Sequence, residues 1–191
     1  QRQQRDLVGI GVSTGGPPAV QKILSTLPAD FPASMVIAQH MPGTFTKAFA
    51  KRLNQNSLLE VKEAEQGDIL EKGKVFIAPG GFHLKIRQRA RCFDLKVTQE
   101  PRDALYKPSA NVLLSSLADE AGKRGLGVIL TGMGNDGLEG IRTLKDKGGL
   151  VIAQDNASCV VYGMPRAIVE AGLADAVVDI EAMPEAILEH L

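Results

Sequence analysis

The sequence predicts an α/β fold, a mostly parallel sheet with helices on both faces plus one antiparallel hairpin. Three observations carry this expectation. Short apolar runs recur through the 191 residues, and most end in a loop containing glycine or proline. Stretches with apolar residues at i, i+3 and i+4 spacing fall between them, as amphipathic helices do. One segment alternates polar and apolar residues on either side of a short basic turn, the pattern of a hairpin. Strands that alternate with helices build a sheet covered on both faces, and right-handed crossovers leave few ways to connect it. The expected architecture is doubly wound, three-layered and Rossmann-like.

Residues 7–12, Leu-Val-Gly-Ile-Gly-Val, read as a buried strand, and residues 19–27 as a helix with Val20, Ile23, Leu24 and Leu27 on one face. Pro17 and Pro18 suit the first turn of that helix, where a missing N–H breaks no bond. Residues 35–38 form a second strand. Residues 46–53 form a helix, with Phe45, Phe49 and Leu53 as an apolar stripe expected in the core. Strands follow at 59–64 and 74–78, the second closed by Pro79-Gly80-Gly81. Residues 83–87 and 92–97 make the hairpin, and its tip, with Arg87, Arg89 and Arg91, is expected to be solvated. After a polar loop at 100–108, Ser109 is placed to cap a helix bearing Val112, Leu113, Leu117 and Ala121. The chain then predicts strand 125–130, helix 138–147, strand 149–153, helix 166–171, strand 174–178 and helix 183–191.

Composition narrows the function classes. Apolar residues at 44% and charged residues at 23% are ordinary for a globular protein. Lys+Arg 22 balances Asp+Glu 22, which argues against nucleic-acid binding by bulk charge. Cys92 and Cys159 lack a metal-ligand spacing and suit a reduced, cytoplasmic setting. No apolar run reaches the roughly 18 residues that a membrane span needs, so no insertion in a membrane is expected. Residues 1–6 are polar and read as the remnant of an interdomain linker, with residues 7–191 as the domain proper and a further part expected upstream.

The turn after the first strand has three readings. Gly11-Val12-Ser13-Thr14-Gly15 fits G-x-S-x-G, in which small residues let the chain bend sharply and expose a hydroxyl. Gly9, Gly11 and Gly15 also form a loose dinucleotide- or phosphate-binding turn, which would make the chain a noncatalytic binding module. A plain tight turn is the third. At the end of the second strand, where a dinucleotide site wants an acidic residue for the ribose, the chain has His40. A second glycine-rich turn, Thr131-Gly132-Met133-Gly134-Asn135-Asp136-Gly137, follows strand 125–130.

Three strand-end loops therefore hold Ser13, His40 and Asp136. A serine hydroxyl is a weak nucleophile until a base takes its proton, and a carboxylate orients the imidazole and stabilises its charged form. The order Ser, His, Asp departs from the Ser, Asp, His order of α/β-hydrolases. A simpler role for Asp136 is to cap the helix that follows. His83 and His190 lie in no catalytic motif and read as structural or solvated, Cys159 as a small buried residue, and Asp155 as a cleft or capping residue.

Val12-Ser13-Thr14-Gly15-Gly16-Pro17, Gln39-His40-Met41-Pro42, the 131–137 turn, Ala153-Gln154-Asp155 and Tyr162-Gly163-Met164-Pro165 together resemble the catalytic domain of the CheB family, the chemotaxis protein-glutamate methylesterases. The resemblance runs in matching order from about Leu7 to the C-terminus. It implies a doubly wound α/β domain that follows a phosphorylatable receiver domain. It also implies hydrolysis of glutamate γ-methyl esters on the cytoplasmic helices of chemoreceptors, releasing methanol, with deamidation of receptor glutamines as a second activity. By motif, Ser13 corresponds to the nucleophile, His40 to the base and Asp136 to the orienting acid, with the backbone N–H groups of Thr14 and Met133 as oxyanion donors. No cofactor or metal is implied. Around Lys107-Pro108-Ser109-Ala110-Asn111 the chain departs from many relatives, which carry arginine or histidine before the proline and aspartate at position 111, so substrate-side contacts are expected to differ there.

Overall fold

The computed structural model describes residues 4–191; residues 1–3 of the expected linker lie outside it. In chain order the strands are β1 (Leu7–Val12), β2 (Ser34–Gln39), β3 (Glu60–Glu63), β4 (Lys74–Ile77), β5 (His83–Gln88), β6 (Phe93–Thr98), β7 (Gly125–Ile129), β8 (Leu150–Gln154) and β9 (Ala176–Val178). The helices are α1 (Gly16–Thr26), α2 (Gly43–Gln55), α3 (Ala110–Ala121), α4 (Leu138–Asp146), α5 (Met164–Glu170) and α6 (Met183–Glu189). Two short 3₁₀ turns, Gly122–Arg124 and Ile180–Ala182, lead into β7 and α6; the periodicity had not marked them.

Seven strands form one parallel sheet in the order β3-β4-β2-β1-β7-β8-β9, and β5 pairs with β6 as a separate antiparallel hairpin. From β1 the chain winds outward through β2 on one side, and later resumes at β7 on the other. The strand order therefore reverses between β1 and β7, and the crevice at their C-terminal ends is where doubly wound sheets place their sites.

The sheet divides two apolar layers. Val8, Ile10 and Val12 of β1 face α1, α2 and α6, with Val20, Phe49 and Ile187 in the same layer. The other layer holds α3, α4, α5 and the hairpin, through Leu113, Leu114, Ile141, Met164, Ile168 and Leu95. Glycine fills the second face of β1 and β7 because the helices come close there. A Cβ on Gly11 would stand 2.7 Å from Ala110 Cβ, and one on Gly127 would stand 2.6 Å from Ile141 Cδ1. The Gly-x-Gly rhythm of β1 is thus set by packing under α3. That accounts for Gly9 and Gly11 without a bound phosphate, since a Cβ on Gly9 would meet Leu114 and Leu117.

Two expectations need correction. Phe49 and Leu53 are buried, but Phe45, in the first turn of α2, is 60% exposed. The hairpin tip is not simply solvated: Arg87 makes two 2.9 Å bonds to the Asp94 carboxylate and Arg89 a third at 3.2 Å. Asp94 is buried and its pKa is lowered, mainly by Arg87, with burial opposing and Arg89 assisting. The linker boundary is likewise bonded into the domain: Asp6 pairs with Arg124 at 2.6 Å, and its carbonyl accepts from Ser34 N–H at 2.9 Å.

Gly11→Ala tests the close packing of α3 on β1. Its added methyl meets the first residue of α3, so overpacking is expected to lower the unfolding free energy by about 1–3 kcal/mol, read from urea denaturation. Parent-like stability would mean that the helix can back away without loss.

Candidate active site

Ser13 follows the last residue of β1. Its N–H donates to Thr131 O at 3.0 Å and its carbonyl accepts from Gly16 N–H at 2.8 Å, so the chain turns back at once into α1. Gly15 supplies the turn with φ 81°, and prolines occupy the first turn of the helix. In the parallel β1–β2 register Val12 lies opposite Gln39, and His40 N–H donates to Val12 O at 3.0 Å. Ser13 and His40 are therefore the next residues on adjacent strands. Gln39, which is buried, ties them together, because its Nε2 donates to Ser13 O at 3.0 Å and to His40 O at 3.2 Å. A Cβ on Gly16 would run into Gln39 Oε1, so the helix start needs glycine to leave that amide in place.

His40 Nε2 lies 2.6 Å from Asp136 Oδ2, and the two side chains are 9% and 4% exposed. With Nε2–H donating to the carboxylate, the neutral ring carries its lone pair on Nδ1. Nδ1 is buried and takes no partner among the described residues. The Ser13 hydroxyl also makes no hydrogen bond among the described residues. The serine is thus joined to the pair through backbone and Gln39, and a direct Ser13–His40 side-chain bond is not made. Such bonds are often loose before substrate arrives. The Tyr106 ring stacks on the imidazole, with centroids 4.0 Å apart and planes 6° apart.

Asp136 does not cap the helix after it; Gly137 stands at the α4 N-cap without a side-chain bond. Its carboxylate turns instead to the start of α3, accepting from Ala110 N–H at 2.7 Å, Asn111 N–H at 2.9 Å and the Ser109 hydroxyl at 3.0 Å. A helix N-terminus is a natural seat for an anion. Burial works against ionisation of Asp136, but the His40 bond and the Asn111 and Ala110 N–H groups outweigh it, and the pKa is lowered. Ser109 is also the N-cap of α3, as expected. Behind it His83, fully buried, accepts from Ser109 N–H at 3.2 Å through Nδ1 and donates to Pro101 O at 3.0 Å through Nε2. Asn111 faces away from the crevice: its Oδ1 accepts from Gly137 N–H and Gly140 N–H, both at 2.9 Å. The side chain at position 111 therefore braces the acid's loop, which corrects the expectation of a substrate contact there.

The second glycine turn passes directly over the serine. A Cβ on Gly132 would stand 2.8 Å from Ser13 Cβ and 2.5 Å from Met164 Sδ. Thr131 pins this turn, its N–H donating to Gln154 Oε1 at 2.8 Å and its hydroxyl to Thr14 O at 2.9 Å. The Tyr162-Gly163-Met164 segment adds bonds from Gly163 and Met164 N–H to Gly132 O, at 3.1 and 2.9 Å. The N–H groups of Thr14 and Met133 donate to no acceptor among the described residues, so both remain available to a ligand.

Other candidate residues have local roles. Asp155 accepts from Ser158 N–H at 3.0 Å and from its hydroxyl at 2.6 Å, closing the turn after β8. Burial pushes the Cys159 thiol up to about 11, with Asp155 adding to it against a Thr131 bond, so it is a poor nucleophile near neutral pH. His190 bonds Ala186 O at 2.6 Å at the end of α6. Among the described residues no group of three or more His, Cys, Asp or Glu side chains is placed to hold a metal ion. No helix among them is long and apolar enough to cross a membrane. A cleft of about 540 Å³ lies between the hairpin and α3, bordered by Lys85 and Lys96, away from Ser13. Beside His40 lies an open depression of about 290 Å³, bordered by Tyr106 and Pro108.

The model of the CheB methylesterase family matches residues 8–187. The chain is 63% identical over 187 residues to a protein-glutamate methylesterase/protein-glutamine glutaminase of Nitratidesulfovibrio vulgaris, covering 98% of this chain and 51% of that protein. It is 56% identical over 191 residues to one of Lawsonia intracellularis, covering 100% of this chain and 54% of that protein. The chain thus spans about half the length of these curated relatives. The crystal structure of the Thermotoga maritima CheB methylesterase catalytic domain superposes with a TM-score of 0.95 at 40% identity, covering 99% of this chain and 100% of that one.

Because the folded-state pKa of Asp136 lies below its unfolded value of about 3.9, its ionised form adds stability above that pH. The contribution is lost as pH falls through the folded value. Asp136→Asn is therefore expected to unfold at lower urea than the parent at pH 7, with the gap narrowing on acidification to about pH 3. A gap that is constant with pH would show that the carboxylate's charge does not hold the α3 start.

Proposed function

We propose that this chain, which belongs to the CheB methylesterase family, is a serine hydrolase that removes methyl groups from glutamate γ-methyl esters of chemoreceptors. The observation that carries the reading is the buried His40–Asp136 pair, whose free ring nitrogen belongs to the residue next to Ser13 across the β1–β2 register. A neutral imidazole fixed by an ionised carboxylate can accept a hydroxyl proton and then stabilise its own positive charge.

In the proposed reaction Ser13 Oγ attacks the ester carbonyl carbon while His40 Nδ1 takes the hydroxyl proton. The negative charge that builds on the carbonyl oxygen is met by Thr14 N–H and Met133 N–H; removing one such donor typically costs about 3 kcal/mol of transition-state stabilisation. Collapse of the tetrahedral species breaks the bond to the methoxy group, His40 returns the proton to it, and methanol leaves. Water then attacks the acyl-enzyme, His40 again taking a proton, and the Ser13–acyl bond breaks as His40 returns that proton to Ser13 Oγ, releasing the glutamate carboxylic acid, which ionises. With a glutamine side chain the same steps expel ammonia, which is the deamidation reading.

The open setting beside His40 supports a side chain presented by a folded protein rather than a small free ligand enclosed in a pocket. Receptor cytoplasmic helices as substrate place the reaction in the cytoplasm. An upstream receiver domain is the regulatory partner we propose, covering the crevice until it is phosphorylated.

Ser13→Ala is expected to lower methanol release from methylated receptor membranes by at least about 10³-fold and to abolish labelling by a fluorophosphonate. An alanine variant as active as the parent would remove Ser13 as nucleophile. His40→Gln keeps a hydrogen-bonding side chain but no ring nitrogen to take the serine proton, so its kcat is expected to fall by at least about 10³-fold. A glutamine variant as active as the parent would remove His40 as base.

A further inference from the structure

We infer that Tyr106 is a positioning residue for the base, backing the His40 ring so that the imidazolium formed during the reaction is favoured over the neutral ring. The inference rests on the reading of Ser13, His40 and Asp136 given above, and it concerns a residue outside that set. Tyr106 and His40 lie in almost parallel planes with centroids 4.0 Å apart. The Asp136 bond grips His40 at one edge of the ring but leaves it free to rock about that bond. A flat neighbour on the face removes this freedom, and it excludes water from a bond that is strong only while dry.

The stack also acts on charge. An aromatic face attracts a cation more than a neutral ring of the same shape. His40 is neutral at the start of the proposed reaction and positive when Ser13 has lost its proton, so the contact strengthens as the barrier is climbed. An interaction made stronger on the way to the transition state raises kcat rather than tightening substrate binding.

The charged and titratable groups around the ring come from three places. Asp136, from the turn between β7 and α4, favours the imidazolium at its edge. Lys107, beside Tyr106 on the loop before α3, borders the same depression. Ser13, at the end of β1, is uncharged.

The loop holds Tyr106 from both sides. Gly81 N–H donates to Lys107 O at 3.0 Å, and His83 donates to Pro101 O at 3.0 Å. Neighbouring Leu105 is 86% exposed, so burial of that side chain does not set the loop's position. The far end of Tyr106 reaches the second glycine turn, its Oη standing 3.3 Å from where a Cβ on Gly134 would be. One phenol ring thus spans from the base to the residue after Met133.

The test compares Tyr106→Phe, Tyr106→Trp and Tyr106→Leu by methanol release from methylated receptor membranes across pH, with thermal unfolding as the check on folding. The phenylalanine variant keeps the aromatic face, so its kcat is expected within about 2-fold of the parent. The leucine variant is expected to lose about 3- to 30-fold in kcat at nearly unchanged KM. Its acid limb is expected to move to lower pH, since the protonated ring has lost a stabilising face. If the leucine variant fails to fold, the tryptophan variant carries the test, with kcat and acid limb expected near the parent's. Parent-like kcat and acid limb in a folded leucine variant would overturn the inference. So would a raised KM at constant kcat, which would make Tyr106 a substrate contact. Ser13→Ala is measured alongside: if it retains activity, the failure lies with the nucleophile and not with Tyr106.

Discussion

The Asp136 carboxylate is the interaction on which the site depends. It receives a helix start, a hydroxyl and an imidazole on its two oxygens: Ala110 N–H and His40 on Oδ2, Asn111 N–H and the Ser109 hydroxyl on Oδ1. Those bonds connect the turn after β7, the N-terminus of α3 and the loop after β2, three segments far apart in the chain. A buried carboxylate with fewer partners would be driven towards its neutral form, and a neutral acid would not favour a charged imidazole. Ionisation of Asp136 and alignment of the His40 ring are therefore the same physical requirement.

That requirement reaches back into the packing. The start of α3 can stand beside β1 only because Gly11 has no side chain there, and α4 can sit on β7 only because Gly127 has none. Asn111 joins the two helices by accepting from both Gly137 and Gly140 at the head of α4. The glycines that looked like a phosphate turn in the sequence lie partly within a strand, and they set how closely α3 approaches the site. Only Gly15 and Gly16 serve the bend itself.

Strands and helices were legible because burial follows period: β1 and β7 are short apolar runs ended by glycine turns, and α1 keeps its apolar face at helical spacing. Ser13, His40 and Asp136 were legible as polar residues at the ends of such runs. Their supports were not, because each acts through a partner remote in sequence that periodicity does not encode. Gln39 was no more than the residue before the histidine in its motif until the register placed it under two carbonyls. His83 lay in a hairpin, and only the fold brings it to Ser109. Tyr106 sat in a polar loop with no motif of its own. Phe45 failed for the opposite reason: helical spacing cannot tell a buried first turn from an exposed one.

The supports also explain how Ser13, His40 and Asp136 are held at an open crevice. A deep pocket fixes its residues by surrounding them, and an open rim cannot. Here rigidity comes from behind: Gln39 beneath the serine and histidine, α3 behind the acid, Thr131 and Met164 behind the second glycine turn. Around the site stand exposed apolar side chains, Leu105, Met133 and Val160. A surface built this way can meet a large, stiff partner without closing over it. It brings an extended side chain to the serine while the backbone that carries that side chain stays outside. An ester at the end of a glutamate on a receptor helix has that shape, so the openness of the site and the proposed substrate answer to the same constraint.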